Sequence, residues 1–258
     1  MSKNILVSIW IYTCLLILLP VSYVYSAEEW DFKATPYFWL SSLNGDVTVK
    51  GIKSDVDASF SDIFDDLNFG IMFQLEGMYK EKYGFYINPM YIDLESNKNG
   101  QIVDIDTDLN LLILEGGFIY NLINTSSGNL NQNTKLDLLI GGRLWDADVD
   151  VNTTGPAGGM HVGSDKTWFD FLAGLRLIYQ YKKFDFIAKT DIGGFDLGFS
   201  SDISWNGGVY IGYELYKYFS PFIGYRALYA DYDDGSGNDR FVYDAWMYGP
   251  LLGFQARF

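Results

Sequence analysis

The C-terminal segment, residues 241–258, alternates bulky apolar side chains with small or polar ones and ends on an aromatic residue. Residues i, i+2 and i+4 of a β-strand share a face, so one face of this segment suits lipid and the other an interior. The lipid-suited face consists of Val242, Trp246, Tyr248, Pro250, Leu252, Phe254, Ala256 and Phe258. The opposite face carries Ala245, Gly249, Gly253, Gln255 and Arg257. The pattern is typical of the closing strand of a transmembrane β-barrel.

Composition agrees with a β-rich chain, since 18% of the residues are aromatic and there are 27 glycines but only 6 prolines. One segment, residues 5–24, is apolar for long enough to resemble a helix in a membrane. It follows Lys3 and precedes small residues, which predicts a secretory signal peptide over 1–27 and a barrel domain over 28–258. The alternative is a retained membrane anchor. The only cysteine, Cys14, lies in this segment, so no thiol chemistry is expected in the mature chain.

Alternation along the chain predicts an all-β, up-and-down antiparallel transmembrane barrel of about ten strands. The predicted strands lie near 30–42, 68–81, 83–95, 104–122, 135–150, 166–182, 184–197, 202–216, 219–233 and 240–258. An even number places both termini and the short turns on the periplasmic side and the longer loops outside. Eight or twelve strands are alternatives, because residues 45–60 contain a hairpin with alternating valines.

The interior face of the predicted strands carries both acidic and basic side chains. Those assigned to the lumen are Glu76, Glu115, Asp137, Arg143, Asp170, Arg176, Asp185, Lys189, Asp191 and Arg226, together with Lys33. An unpaired charge in a narrow and poorly hydrated lumen is costly, so a mixed-sign interior predicts interlocking ion pairs. Such a network favours a plugged barrel over an open pore.

Polarity inverts towards the predicted outer ends of the strands. The lipid-facing side becomes acidic, as in Asp146, Asp148 and Asp150, while the inner side becomes apolar, as in Ala147 and Val149. The barrel is therefore expected to project beyond the bilayer with a water-facing outside and an apolar inner mouth. The acidic runs either bind divalent cations or are simply solvated, and no cofactor or metal site is expected.

The first outer loop contains Phe60, Ile63, Phe64 and Leu67 at helical spacing between aspartates. Ser59 or Ser61 is placed to cap the N-terminus of such a helix. We predict a short amphipathic helix in this first extracellular loop that packs into the mouth as a plug. The alternative is a surface turn that only touches the rim.

Candidate chemistry is limited to His161, the only histidine, which occurs in the glycine-rich segment 155–161. With Ser164 or Asp165 it would form a hydrolytic site, but a catalytic base needs a partner on a rigid element. No catalytic residue is therefore expected. Without the signal peptide the chain loses Lys3 and no acid, so its net charge falls from −15 to −16 and excludes electrostatic binding of nucleic acid.

Several segments resemble a family of uncharacterised proteobacterial outer-membrane β-barrel proteins with a Ser-Phe-Ser-Asp loop motif. The matching segments are TPYFWL at 35–40, VDASFSDIFDDL at 56–67, GGRLWD at 141–146, DIGGF at 191–195, GYR at 224–226 and YGPLLG at 248–253. The resemblance implies an outer-membrane barrel and no particular activity. The ending with Gly253, Ala256 and Phe258 also resembles the signal read by the barrel-assembly machinery, although Leu251 departs from the polar residue often found there.

We therefore expect a monomeric, non-enzymatic barrel in the outer membrane, in contact with lipid and lipopolysaccharide and inserted by the barrel-assembly machinery. Its apolar mouth is expected to hold or pass a small hydrophobic or amphipathic solute. The alternative is a barrel that stabilises the envelope and has a plugged lumen. A remote alternative is an outer-membrane hydrolase that uses His161.

Overall fold

A computed structural model describes residues 29–98, 104–127, 132–155 and 158–258, so the predicted signal peptide lies outside the described residues. Within these ranges the chain forms twelve strands and one α-helix. The elements are β1 (Trp30–Trp39), β2 (Ser42–Val49), β3 (Ile52–Ala58), α1 (Phe60–Asp66), β4 (Leu67–Tyr79), β5 (Tyr83–Lys98), β6 (Asp104–Ser127), β7 (Gln132–Gly155), β8 (Gly158–Tyr181), β9 (Phe184–Gly194), β10 (Ile203–Tyr213), β11 (Phe219–Asp234) and β12 (Phe241–Arg257). No helix among these residues is long and apolar enough to cross a membrane.

Ten of the strands close into an antiparallel barrel, which confirms the predicted fold. Each strand from β4 to β12 pairs with its neighbours in sequence, and β1 pairs with both β4 and β12. The last residue completes the seam, because the backbones of Phe32 and Phe258 exchange two hydrogen bonds of 3.1 and 3.0 Å. The alternating C-terminal segment is therefore the closing strand.

The other two strands, β2 and β3, form the valine-rich hairpin outside the ten-stranded closure. β2 continues the register of β1 along β12, since Trp39 lies opposite Leu251 and Ser42 opposite Tyr248. β3 then pairs with β2 alone in the described sheet. The hairpin therefore extends the wall beyond the point where β1 ends.

The helix α1 forms where the sequence predicts it, with Ser59 as its cap. The Ser59 hydroxyl accepts a hydrogen bond from the Asp62 backbone N–H, and the Asp62 carboxylate accepts one from the Ser59 N–H. None of its residues is buried, and Phe64 is 56% exposed. Of the predicted plug residues Phe60, Ile63, Phe64 and Leu67, only Leu67 packs against the buried core. The helix lies on the rim, which corrects the plug expected from its amphipathic spacing.

The mouth is filled by aromatic side chains of the wall itself. The Trp168 ring stacks on Trp145 at 5.3 Å and on Tyr232 at 4.5 Å, and Phe241 and Tyr243 pack against the same ring. These residues share the inward parity of their strands with the lumen charges. A buried aromatic layer thus occupies the mouth, where the sequence predicts the helix or a solute.

The outer surface carries a belt of exposed apolar side chains, including Phe118, Val209 and Ile223. Rings on the outer face lie at both ends of this belt. Those at the periplasmic end are Tyr79, Tyr83, Tyr120, Tyr179 and Tyr213, and those at the other end are Trp205, Tyr229 and Trp246. Beyond the second set the outer face becomes acidic, so the belt has the polarity profile that a bilayer requires.

The contrast between helix and aromatic layer predicts a difference in stability. Phe241→Ala removes a side chain that is only 1% exposed and should lower the free energy of unfolding by roughly 3–5 kcal/mol. Phe64→Ala should leave it nearly unchanged because that ring is largely in solvent. The temperature at which heating changes the gel mobility of the folded barrel compares the stability of the two variants. A large loss of stability in Phe64→Ala would instead support the predicted plug.

Candidate functional site

The centre of the lumen is closed by a cluster of charges, here called the central cluster, around Arg143 on β7. The Arg143 guanidinium is fully buried and donates to Glu115 on β6 at 3.0 Å and to Asp191 on β9 at 2.7 Å. Lys189 adds a bond to Glu115, and the Arg226 guanidinium lies 3.7 Å from the same carboxylate. Five charges from four strands therefore meet across the lumen.

A second set of charges lies nearer the periplasmic end. Arg176 on β8 donates to Asp137 on the neighbouring strand at 2.8 and 3.0 Å and also contacts Glu76 across the lumen. Lys33 donates to Glu76 at 3.0 Å, and Asn121 donates to Asp137 at 2.8 Å. Each carboxylate is thus engaged by a cation, so this set is internally neutralised.

Two of the predicted lumen acids form no ion pair with either set, although Asp170 lies directly opposite Arg143 across β7 and β8. Asp170 is fully buried and accepts hydrogen bonds from the Trp145 indole at 3.0 Å and from the Ser201 backbone at 2.8 Å. It therefore ties the loop after β9 to the aromatic layer. Asp185 accepts a hydrogen bond from Gln180 at 2.9 Å near the periplasmic end.

Below the central cluster the lumen contains a cavity of about 450 Å³. Its upper wall includes Tyr37, Tyr86, Lys189 and Arg226, and its lower wall reaches Arg257 near the periplasmic end of β12. We call this cavity the vestibule. Because the central cluster and the aromatic layer lie above it, the vestibule lies on the periplasmic side of the lumen.

Several residues that shape this arrangement are not among those predicted from the sequence. Trp145 and Trp168 form the aromatic layer, while Tyr37, Asn88 and Asn206 join the polar wall of the vestibule. All five have the inward parity of their strands, so alternation was the signal that could have found them. Parity alone, however, does not say which inward residues meet.

The acidic outer rim shows the expected mutual repulsion. The pKa of Asp231 is raised, first by partial desolvation and then by the nearby carboxylates of Asp244 and Asp202. The pKa of Asp148 is raised in the same way, with Asp150 as the main charged neighbour. Within the described ranges, no group of three acidic, histidine or cysteine side chains is arranged to hold a metal ion.

His161 lies on β8, where it pairs with Asn152 of β7, and not in a loop as expected. Its side chain is 63% exposed, with Nδ1 at 2.8 Å from the Asn152 amide oxygen and Nε2 at 3.6 Å from Asp150. Ser164 has the opposite parity and so points to the other face of the strand. In the described part of the chain, the polar contacts of His161 are with Asn152 and Asp150 and include no hydroxyl group.

In the predicted assembly signal at the barrel seam, Gly253 and Ala256 lie on β12 and Phe258 directly follows it. Gly253 is required there, because a Cβ atom would come within 2.5 Å of the Pro36 carbonyl oxygen. Ala256 pairs with Ala34 on one side and with Phe219 on the other. Phe258 is half exposed and lies 6.5 Å from the Phe32 ring.

No protein-family model and no curated protein matches the chain. Among solved structures, it is similar to the outer membrane protease OmpT from Escherichia coli, with a TM-score of 0.58 and 9% identity over 92% of this chain and 99% of that one. Ail from Yersinia pestis aligns over 89% of this chain and 99% of its own, with a TM-score of 0.36 and 11% identity. The OmpT match establishes the outer-membrane β-barrel fold and nothing about activity. The resemblance stated from sequence motifs stays a prediction.

The central cluster predicts an asymmetric response to mutation. Arg143→Met leaves two buried carboxylates without their shared partner and should cost roughly 3–5 kcal/mol. Arg240→Met, which breaks an exposed pair with Asp233, should change stability little and serves as the control. Urea titration of the refolded barrel in lipid measures both. Equal effects would mean that the central cluster contributes no more than a surface pair.

Proposed function

We propose that this protein is a non-conducting, non-enzymatic barrel of the outer membrane that stabilises the envelope with a sealed lumen. The observation that carries the proposal is the fully buried Arg143, held between carboxylates from two other strands. A solute crossing this level has to separate charges that are already desolvated, which is costly. The stacked rings of Trp145 and Trp168 close the next level above.

The surface supports residence in the outer membrane as a monomer. The apolar belt matches the hydrocarbon region, and the acidic rim faces the level of lipopolysaccharide head groups and their divalent cations. Closure through β1 and β12 pairs the strand edges within the belt, which removes the need for a partner there. Insertion by the barrel-assembly machinery through the β12 ending completes the proposal.

A second candidate function is the holding of a small amphipathic solute, and the vestibule favours it. The cavity of about 450 Å³ falls within the size range of small-molecule sites. It lies on the periplasmic side, whereas the sequence pattern predicts a solute in the outer mouth. The aromatic layer occupies that mouth, so holding from below is favoured over passage through the barrel.

Conductance tests the sealed lumen. The signal-less protein, refolded and checked for heat-modifiable gel mobility, should be silent in planar bilayers because the central cluster blocks the lumen. A variant in which Glu115, Arg143 and Asp191 are all replaced by alanine, with Trp145→Ala added, should give openings if it folds. Reproducible openings of the unmodified barrel would overturn the proposal.

The absence of enzymatic activity is tested at His161. This side chain is exposed, and its polar contacts among the described residues are with Asn152 and Asp150. His161→Ala should therefore leave lipid A composition and peptide cleavage by intact cells unchanged. Mass spectrometry of lipid A and a fluorogenic peptide assay provide the measurements. A hydrolytic activity that disappears in the variant would make the protein an enzyme.

A further inference from the structure

We propose that the vestibule binds an amphipathic oxyanion, a small molecule with a carboxylate, phosphate or sulfate head and an apolar body. The head would contact Arg226, Tyr86 and Tyr210, and the body would extend towards the periplasm. The inference rests on the second candidate function, the holding of a solute, and names its ligand class. It does not require the lumen to be non-conducting.

The charges that face the cavity at the upper wall of the vestibule favour an anion. The cations Lys189 and Arg226 line the vestibule, whereas the carboxylates that they contact, Glu115 and Asp191, do not. The upper wall therefore presents positive charge to the cavity. Of the acids on the lower wall, Glu76 and Glu81 are engaged by cations, and Asp185 accepts a hydrogen bond from Gln180.

Arg226 is the cation best placed to meet a ligand. It is only 5% exposed and lines the vestibule, with its guanidinium held 4.8 Å over the Trp39 ring. Nε donates to Asn206 at 2.9 Å, whereas Nη1 reaches the Tyr37 hydroxyl only at 3.4 Å and Nη2 is 3.7 Å from Glu115. A buried guanidinium with spare donors is preorganised for an oxyanion, which accepts two parallel hydrogen bonds.

Two tyrosine hydroxyls add donors to the same wall. Tyr86 is 5% exposed and Tyr210 is half-buried, and both line the vestibule. Neither hydroxyl has a hydrogen-bond partner within the described part of the chain, unlike Tyr37, which donates to Asn88 at 2.8 Å. Two hydroxyls that line the cavity beside the Arg226 guanidinium can therefore donate to an acceptor-rich group.

The walls nearer the periplasm suit an apolar body. Ile178 and Ile187 are directly paired across β8 and β9, and Phe222 lies on β11, two strands beyond β9 in the wall. All three line the vestibule, closer to the periplasmic strand ends than Lys189 and Arg226. A ligand with its head at the upper wall therefore places an alkyl or aromatic body against them.

Binding is measured with the refolded protein in nanodiscs of zwitterionic phosphatidylcholine, with empty nanodiscs subtracted. Isothermal titration calorimetry measures the binding of four probes: octanoate, octyl phosphate, octylammonium and inorganic phosphate. The two anionic amphiphiles should bind saturably at one site, at least about tenfold more tightly than octylammonium, since a charge-assisted hydrogen bond contributes roughly 1.5–3 kcal/mol. Inorganic phosphate should bind more weakly than octyl phosphate.

The deciding variant is Tyr86→Phe with Tyr210→Phe. It removes two hydroxyls without partners but keeps the ring under Lys189 and the ring contact with Phe222, so folding should be preserved. Octyl phosphate should bind about tenfold or more weakly. Tyr243→Phe is the matched control, because this buried tyrosine lies in the aromatic mouth on the other side of the central cluster, and its affinity should equal that of the unmodified protein.

Three results would overturn the inference. Equal affinity for octylammonium would remove the charge preference, equal affinity for inorganic phosphate would remove the role of the apolar walls, and unchanged binding in the double variant would place the ligand elsewhere. Conductance of the same preparation separates the two proposals. A barrel that conducts but binds octyl phosphate as described contradicts the sealed lumen only, whereas a silent barrel that fails to bind contradicts the ligand only.

Discussion

The burial of opposite charges inside a narrow barrel is the constraint on which the rest of the structure depends. Arg143 has no access to water, so the chain must bring Glu115 and Asp191 to it from two other strands. This requirement couples strands that are distant in sequence and holds their register. It also divides the lumen into a closed outer half and an open periplasmic half, because the charges fill the cross-section between them.

The two halves differ in the way they satisfy their interior. Above the central cluster the wall fills its own space with stacked rings, and the Trp145 indole finds its partner in Asp170. Below it, the pairs around Arg176 line the wall and leave a cavity in the middle. The outward face follows the opposite order, apolar beside the lower part and acidic at the rim, as expected where a barrel leaves the bilayer.

Alternation along the chain predicted the ten-stranded closure, the helix with its Ser59 cap and the inward position of the charges. Prediction from the sequence was less reliable where amino-acid composition and strand pairing disagree. The glycine-rich region around His161 suggested a loop, but β7 and β8 continue to pair through it, because backbone hydrogen bonds depend on the neighbouring strand and not on side chains. The helix failed as a plug for a related reason, since spacing indicates an apolar face but not what covers it.

The sequence by itself determined the class of fold and the face on which each side chain lies, because the period of two in a strand is a local property of the backbone. Only the tertiary structure decided which inward residues meet. The stagger between neighbouring strands around the barrel brings Glu76 to Arg176 and stacks Trp168 on Tyr232, and no pattern along a single strand encodes that stagger. The position of the vestibule and the spare donors of Arg226 depend on the same long-range closure.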